Sequence, residues 1–135
     1  SNGAGVYMFT GLTATAGLRR GLIEFDLSSI PSNATITGAT LSMWLSKSGP
    51  NSANVNLTLR RVLTDWGQGT SDAGSPGGDG TQAATGDATW AHTFYNTNTW
   101  ITPGGDFSPT NTFSNKIKCI YVGFEMTVMV YFAIG

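Results

Sequence analysis

Apolar side chains return at every second position in run after run of this chain, a period that fits β-strands and not helices. Ile23, Phe25 and Leu27 alternate with Glu24 and Asp26. Ala39, Leu41, Met43 and Leu45 alternate with Thr40, Ser42, Trp44 and Ser46, and Val55, Leu57 and Leu59 with Asn54, Asn56, Thr58 and Arg60. Successive side chains of a strand point to opposite faces, so each run reads as a half-buried strand. Residues 6–11 and 88–94 are further strand-like runs. At Arg61-Val62-Leu63 the parity slips by one residue, which predicts a bulge. Turn chemistry separates the runs at Ser28-Ser29-Ile30-Pro31-Ser32-Asn33, Ser48-Gly49-Pro50-Asn51 and Pro103-Gly104-Gly105-Asp106. No stretch carries helical period and caps over more than about two turns. The expected fold is all-β, an antiparallel β-sandwich or jelly roll.

The longest alternation closes the sequence. Ile120, Val122, Phe124, Met126, Val128, Val130, Phe132 and Ile134 are apolar, and the odd positions between them are mixed. As one strand this run would reach roughly 50 Å, whereas strands usually hold about 5–6 residues. Either two strands meet near Gly123, or one strand reaches beyond its own domain. The run is too short, and too interrupted at Glu125, for a membrane-spanning helix, which needs about 20 apolar residues. The expected organisation is a domain over residues 1–113 and a terminal strand or hairpin over 114–135. That terminal segment either belongs to the domain's own last hairpin or is donated to a neighbouring subunit.

Charge narrows the function. The 135 residues hold seven Lys and Arg against eight Asp and Glu, so 11% are charged, where about 25% is usual. Phosphate binding needs a basic face, so nucleic acid is not an expected partner, nor is an anionic membrane surface. Abundant Thr, Ser, Asn and Gly in a β-rich chain point outside the cell. The opening Ser1-Asn2-Gly3 has neither initiator Met nor signal segment, and reads as a processed chain or an excised fragment. One cysteine, Cys119, allows no internal disulfide and reads as a small buried hydrophobe. Asn33-Ala34-Thr35 and Asn56-Leu57-Thr58 fit the glycosylation sequon, making Asn33 and Asn56 candidate acceptors.

Residues 67–88 form a long Gly/Ser/Thr/Asp-rich loop. A loop of that length, if ordered, needs something packed against it: a metal, a glycan or a neighbouring chain. Asp72, Asp79 and Asp87 lie in its turns, with Asp65 and Asp106 beside it. Calcium takes several oxygens from such loops, so these are candidate ligands, and the competing reading is Asp in turn chemistry. Tyr95 and Trp100 are candidate stacking faces for a sugar ring, while Trp66 and Trp90 read as plugs at the sandwich ends. Catalysis is poorly provided for, and no enzyme is expected. A nucleophile relay would have to use the single His92, with a Ser or with Cys119. Glu24 and Asp26 share a strand face about 7 Å apart. That spacing can serve glycoside hydrolysis, but it reads first as a solvent face paired with Arg19, Arg20 or Arg60.

Several ordered blocks resemble DNRLRE-type domains. The opening block is Arg20-Gly21-Leu22-Ile23-Glu24-Phe25-Asp26-Leu27-Ser28-Ser29-Ile30-Pro31, followed by Ala34-Thr35-Ile36-Thr37-Gly38-Ala39-Thr40-Leu41. Arg61-Val62-Leu63-Thr64-Asp65-Trp66-Gly67, Gly86-Asp87-Ala88-Thr89-Trp90 and Pro103-Gly104-Gly105-Asp106-Phe107 complete it, covering about residues 1–113. The resemblance implies a secreted jelly roll of bacterial or archaeal surface and matrix proteins. Some relatives are carbohydrate-binding modules for uronate-type polysaccharides, and no catalytic residues carry over. It also implies a strand ahead of Ser1 that this sequence does not contain, a Glu where Gln68 stands, and a different continuation after Phe113. A jelly roll short of a strand exposes unpaired backbone, which an alternating tail could fill in a neighbouring copy. The functional expectation is therefore a non-catalytic subunit of an extracellular fibre, a homopolymer joined through its terminal strand. The alternative is a module that binds acidic polysaccharide.

Overall fold

The computed structural model describes residues 1–13, 17–35, 39–47, 56–57, 59–75, 77–108, 117–118 and 126–130. Among them are eight short strands and no helix, which is compatible with an all-β fold. By their contacts the residues fall into two units. Ser1–Ile23 and Arg61–Ser108 make the first, and Glu24–Arg60 and Pro109–Gly135 the second.

In the first unit, β1 (Gly11–Leu12) pairs with β2 (Leu18–Arg19). β5 (His92–Phe94) pairs with β6 (Asn98–Thr99), antiparallel. Residues 95–97 close that hairpin, with Asn96 at φ 64°. Asn is one of the few side chains that accepts the left-handed region cheaply. Val62 forms an isolated bridge to Phe107 where the parity slip predicted a bulge, and the register irregularity lies between His92 and Phe94 instead. Trp100 is the buried large apolar side chain among the described residues, and its indole N–H donates to the Thr89 carbonyl at 2.8 Å. The rest of the interior is polar: Ser71, Asp87, Thr93, Asp106 and Ser108 are buried.

In the second unit, β3 (Ala39–Met43) runs antiparallel to β8 (Met126–Val130), with Leu41 opposite Val128. β4 (Asn56–Leu57) pairs with β7 (Ile117–Lys118). Leu41 and Met43 are half-buried while Ser42 is exposed, the alternation of a one-sided strand. Two turns follow each other at 27–34, closed by Ile30 N–H to the Leu27 carbonyl and Ala34 N–H to the Pro31 carbonyl, each 2.9 Å. The alternating run at 23–27, expected as a strand, joins no ladder. Its end is drawn into turn geometry, since Ser28 N–H donates to the Asp26 carboxylate at 2.9 Å.

Candidate functional site

The glycine-rich loop is held by the chain itself, and a caged carboxylate does the holding. Asp87 is 0% exposed. Its Oδ1 accepts the N–H of Thr70 (2.8 Å) and of Ser71 (3.3 Å), and its Oδ2 accepts that of Ala84 (2.8 Å). Burial works to raise the pKa of this carboxyl. The Ser71 hydroxyl and the three N–H donors outweigh it, so Asp87 titrates below the usual carboxylate range. Gly69, at φ 71°, passes so close that a Cβ there would collide with the Asp87 carboxylate, which leaves glycine as the residue that fits.

The first residues lie along the same loop. Ala4 N–H donates to the Ser71 carbonyl (2.8 Å) and Gly3 N–H to the Ser71 hydroxyl (3.3 Å). Ala73 N–H donates to the Asn2 side-chain oxygen at 2.9 Å, and Thr81 N–H to the Ser1 carbonyl at 3.0 Å. This strip and the Asp87 cage hold the loop from within the chain.

A second carboxylate holds the turn at 101–106. Asp106 accepts the N–H of Ile101 (3.0 Å) and Thr102 (2.9 Å) and the Thr64 hydroxyl (3.1 Å). The Ile101 N–H is the largest influence on it, and its pKa too lies below the ordinary value.

Two of the three candidate calcium ligands, Asp72 and Asp87, accept turn N–H groups. The Asp87 oxygens face N–H donors, Asp72 accepts the Gly74 N–H at 2.8 Å, and Asp79 is exposed. No group of three or more His, Cys, Asp or Glu is gathered for an ion among the described residues.

The two tryptophans exchange the roles read from the sequence. Trp100, expected as a sugar-stacking face, is 5% exposed and offers no free face. Its place in the core follows from the partner its N–H finds on Thr89. Trp90, expected as a plug, is 48% exposed. Tyr95 is half-buried and meets His92 edge-on, with ring centroids 5.1 Å apart.

Trp90 belongs to a charged cluster that sequence reasoning missed. The Arg20 guanidinium lies 4.9 Å from the Trp90 ring centroid and 5.0 Å from that of Phe107. It also donates to the Gly104 carbonyl. Arg20, one of three arginines expected opposite Glu24 and Asp26, forms cation–π contacts. Gly104 lies at φ 94°, and a Cβ on it would stand 2.9 Å from Trp90. Residues 20, 90 and 104 are far apart in the sequence, which holds no local signal of their contact.

His92 Nδ1 lies 3.0 Å from the Thr89 hydroxyl, Asp26 is engaged by Ser28, and Cys119 lies outside the described residues. Asn33 sits exposed in the second of the two turns, whereas Asn56 is a ladder residue opposite Lys118. Of the candidate assembly strand, Met126, Val128 and Val130 are in β8, and Ile120, Val122, Phe124 and Phe132 lie outside the described residues. No helix among the described residues is long and apolar enough to cross a membrane.

Compared with known protein families, curated proteins and solved structures, the chain matches none of them.

Proposed function

We propose that this chain is a non-catalytic extracellular structural subunit, a jelly-roll-type module that assembles with copies of itself into a surface or matrix fibre. The observation that carries this reading is the segment at 23–27. Ile23, Phe25 and Leu27 are 37%, 58% and 53% exposed, although they have the period of a strand with one face in a core. The segment joins no ladder among the described residues, and a strand of another copy adds to a segment of that kind. Covering Phe25 and Leu27 stabilises an assembly by about 2 kcal/mol for each side chain that becomes fully buried. The near-neutral, weakly charged surface puts little electrostatic repulsion in the way.

Light scattering and negative-stain electron microscopy on the parent and on the Phe25→Asp/Leu27→Asp double variant test this. The parent should polymerise with rising concentration. The variant should remain monomeric with an unchanged far-UV spectrum, because both replaced side chains are exposed in the single chain. A parent that stays monomeric at every soluble concentration refutes the fibre.

The second reading, recognition of an acidic polysaccharide, is favoured by Arg20. Its exposed guanidinium is held between two rings and makes no ion pair among the described residues, so N–H donors remain for a carboxylate. Retention on an immobilised acidic polysaccharide that Arg20→Ala leaves unchanged would remove that support.

A further inference from the structure

Asn33-Ala34-Thr35 and Asn56-Leu57-Thr58 carry the same acceptor pattern, and neither middle residue is a proline. The fold treats the two differently. The Ala34 N–H closes on the Pro31 carbonyl at 2.9 Å, so Ser32 and Asn33 are the central residues of a turn. Residues 31–35 are all exposed, and they include the whole of the first pattern. Asn56 instead stands in β4, with its backbone in register with Lys118 of β7.

A transferase that joins sugar to asparagine has to reach the side-chain amide and the hydroxyl two residues further on. An exposed turn gives access to both and leaves every ladder closed. At Asn56 the backbone would first have to leave β7, and its paired N–H and C=O groups oppose that. Resting on the extracellular part of the reading above, we infer that Asn33 is an N-glycosylation site of the folded chain and that Asn56 is passed over.

The co-substrate class is an oligosaccharide carried on a polyprenyl diphosphate. The Asn33 Nδ2 attacks the anomeric carbon of the first sugar, where a C–N bond forms and the C–O bond to the diphosphate breaks. The diphosphate leaves with the bonding pair, and the amide nitrogen gives up one proton to solvent. No oxidant or reductant enters. The product is bulky and solubilising. It stands in the turn that follows Ile30, an apolar side chain left exposed.

Mass spectrometry tests this on the chain recovered from its own cells, with the surface and medium kept apart from the cell interior. Trypsin cuts after Arg20, Lys47 and Arg60, so Asn33 and Asn56 fall in separate peptides, 21–47 and 48–60. Electron-transfer fragmentation leaves a glycan on its residue and so locates it. The expected result is a sugar mass on Asn33 in most copies of the first peptide and an unmodified Asn56 in most copies of the second. Thr35→Ala should remove the sugar and Thr35→Ser should keep it, since the pattern accepts either hydroxyl. Surface chains bare at Asn33 overturn the inference and leave the extracellular reading standing. So do a sugar held on a Ser or Thr of the peptide instead, one that survives Thr35→Ala, or greater occupancy at Asn56 than at Asn33. A chain found in the cell interior alone overturns both.

Discussion

At the scale of single residues, Asp87 carries more of the first unit than any apolar side chain does. Its carboxylate satisfies three buried or half-buried N–H groups and fixes Ser71, which in turn holds Gly3 and Ala4. Asp87→Ala leaves those donors without an acceptor, and the expected loss is about 3 kcal/mol of unfolding free energy. Asp87→Asn keeps one acceptor oxygen but turns an amide N–H toward a donor, and should cost about 2 kcal/mol. Denaturant unfolding followed by tryptophan fluorescence measures both, and a loss below half a kcal/mol for the alanine variant would refute the cage. The sequence shows an Asp after a glycine in a polar loop. Calcium ligand and backbone acceptor share that signature, because both need oxygens turned inward from tight turns. Which one is realised depends on whether N–H groups from residues 70, 71 and 84 converge, and that is a tertiary fact. Trp100 and Trp90 are alike in this respect: the burial of Trp100 rests on a carbonyl eleven residues away.

Elements were legible where they pair and misleading where they do not. The alternation at 39–45 gave β3, the tail alternation gave β8 within it, and the turn residues at 28–33 gave the paired turns. The same period at 23–27 gave no ladder, since period reports which face is apolar and not whether a neighbour lies alongside. The loop at 67–88 shows how a stretch without periodicity can still be firmly held. Asp87, which holds it, and Asp106, which holds the turn at 101–106, also set the first unit's response to acid. Asp87 and Asp106 have lowered pKa values in the folded chain, against an ordinary value of 3.8. As pH falls, the unfolded chain takes up these protons first. The stabilisation is therefore fully present above the ordinary value and is lost as pH drops through the lowered folded values. The melting temperature should be flat between about pH 5 and 7 and fall steeply below about pH 4. Asp87→Asn should flatten that fall, and an unaltered acid limb in the variant would place the transition elsewhere.

Across the whole molecule, the two units are held by different means, and this difference predicts where protection from exchange will lie. The first unit is knit by hydrogen bonds converging on few groups. Gly67 N–H donates to the Thr93 carbonyl at 3.0 Å, Tyr95 N–H to the Asp87 carbonyl at 2.7 Å, and Thr93 and Asp87 are fully buried. The second unit contributes ladders of five and two residues and leaves Phe25, Leu27 and Leu45 exposed. Among the described residues one large apolar side chain is buried and many are exposed, so that part draws little stability from hydrophobic burial on its own. In dilute solution the amides of Gly67, Thr70, Ala84 and Tyr95 should exchange slowest and those of residues 22–26 within the fastest class, because local opening follows contact and burial. When concentration is raised into the assembling range, protection should spread to residues 23–27 and leave the first set unchanged, since only the former gain partners. Hydrogen–deuterium exchange at two concentrations reads both at once. Protection that rises instead over 67–95 would mean that copies meet through the loop and not through the open strand.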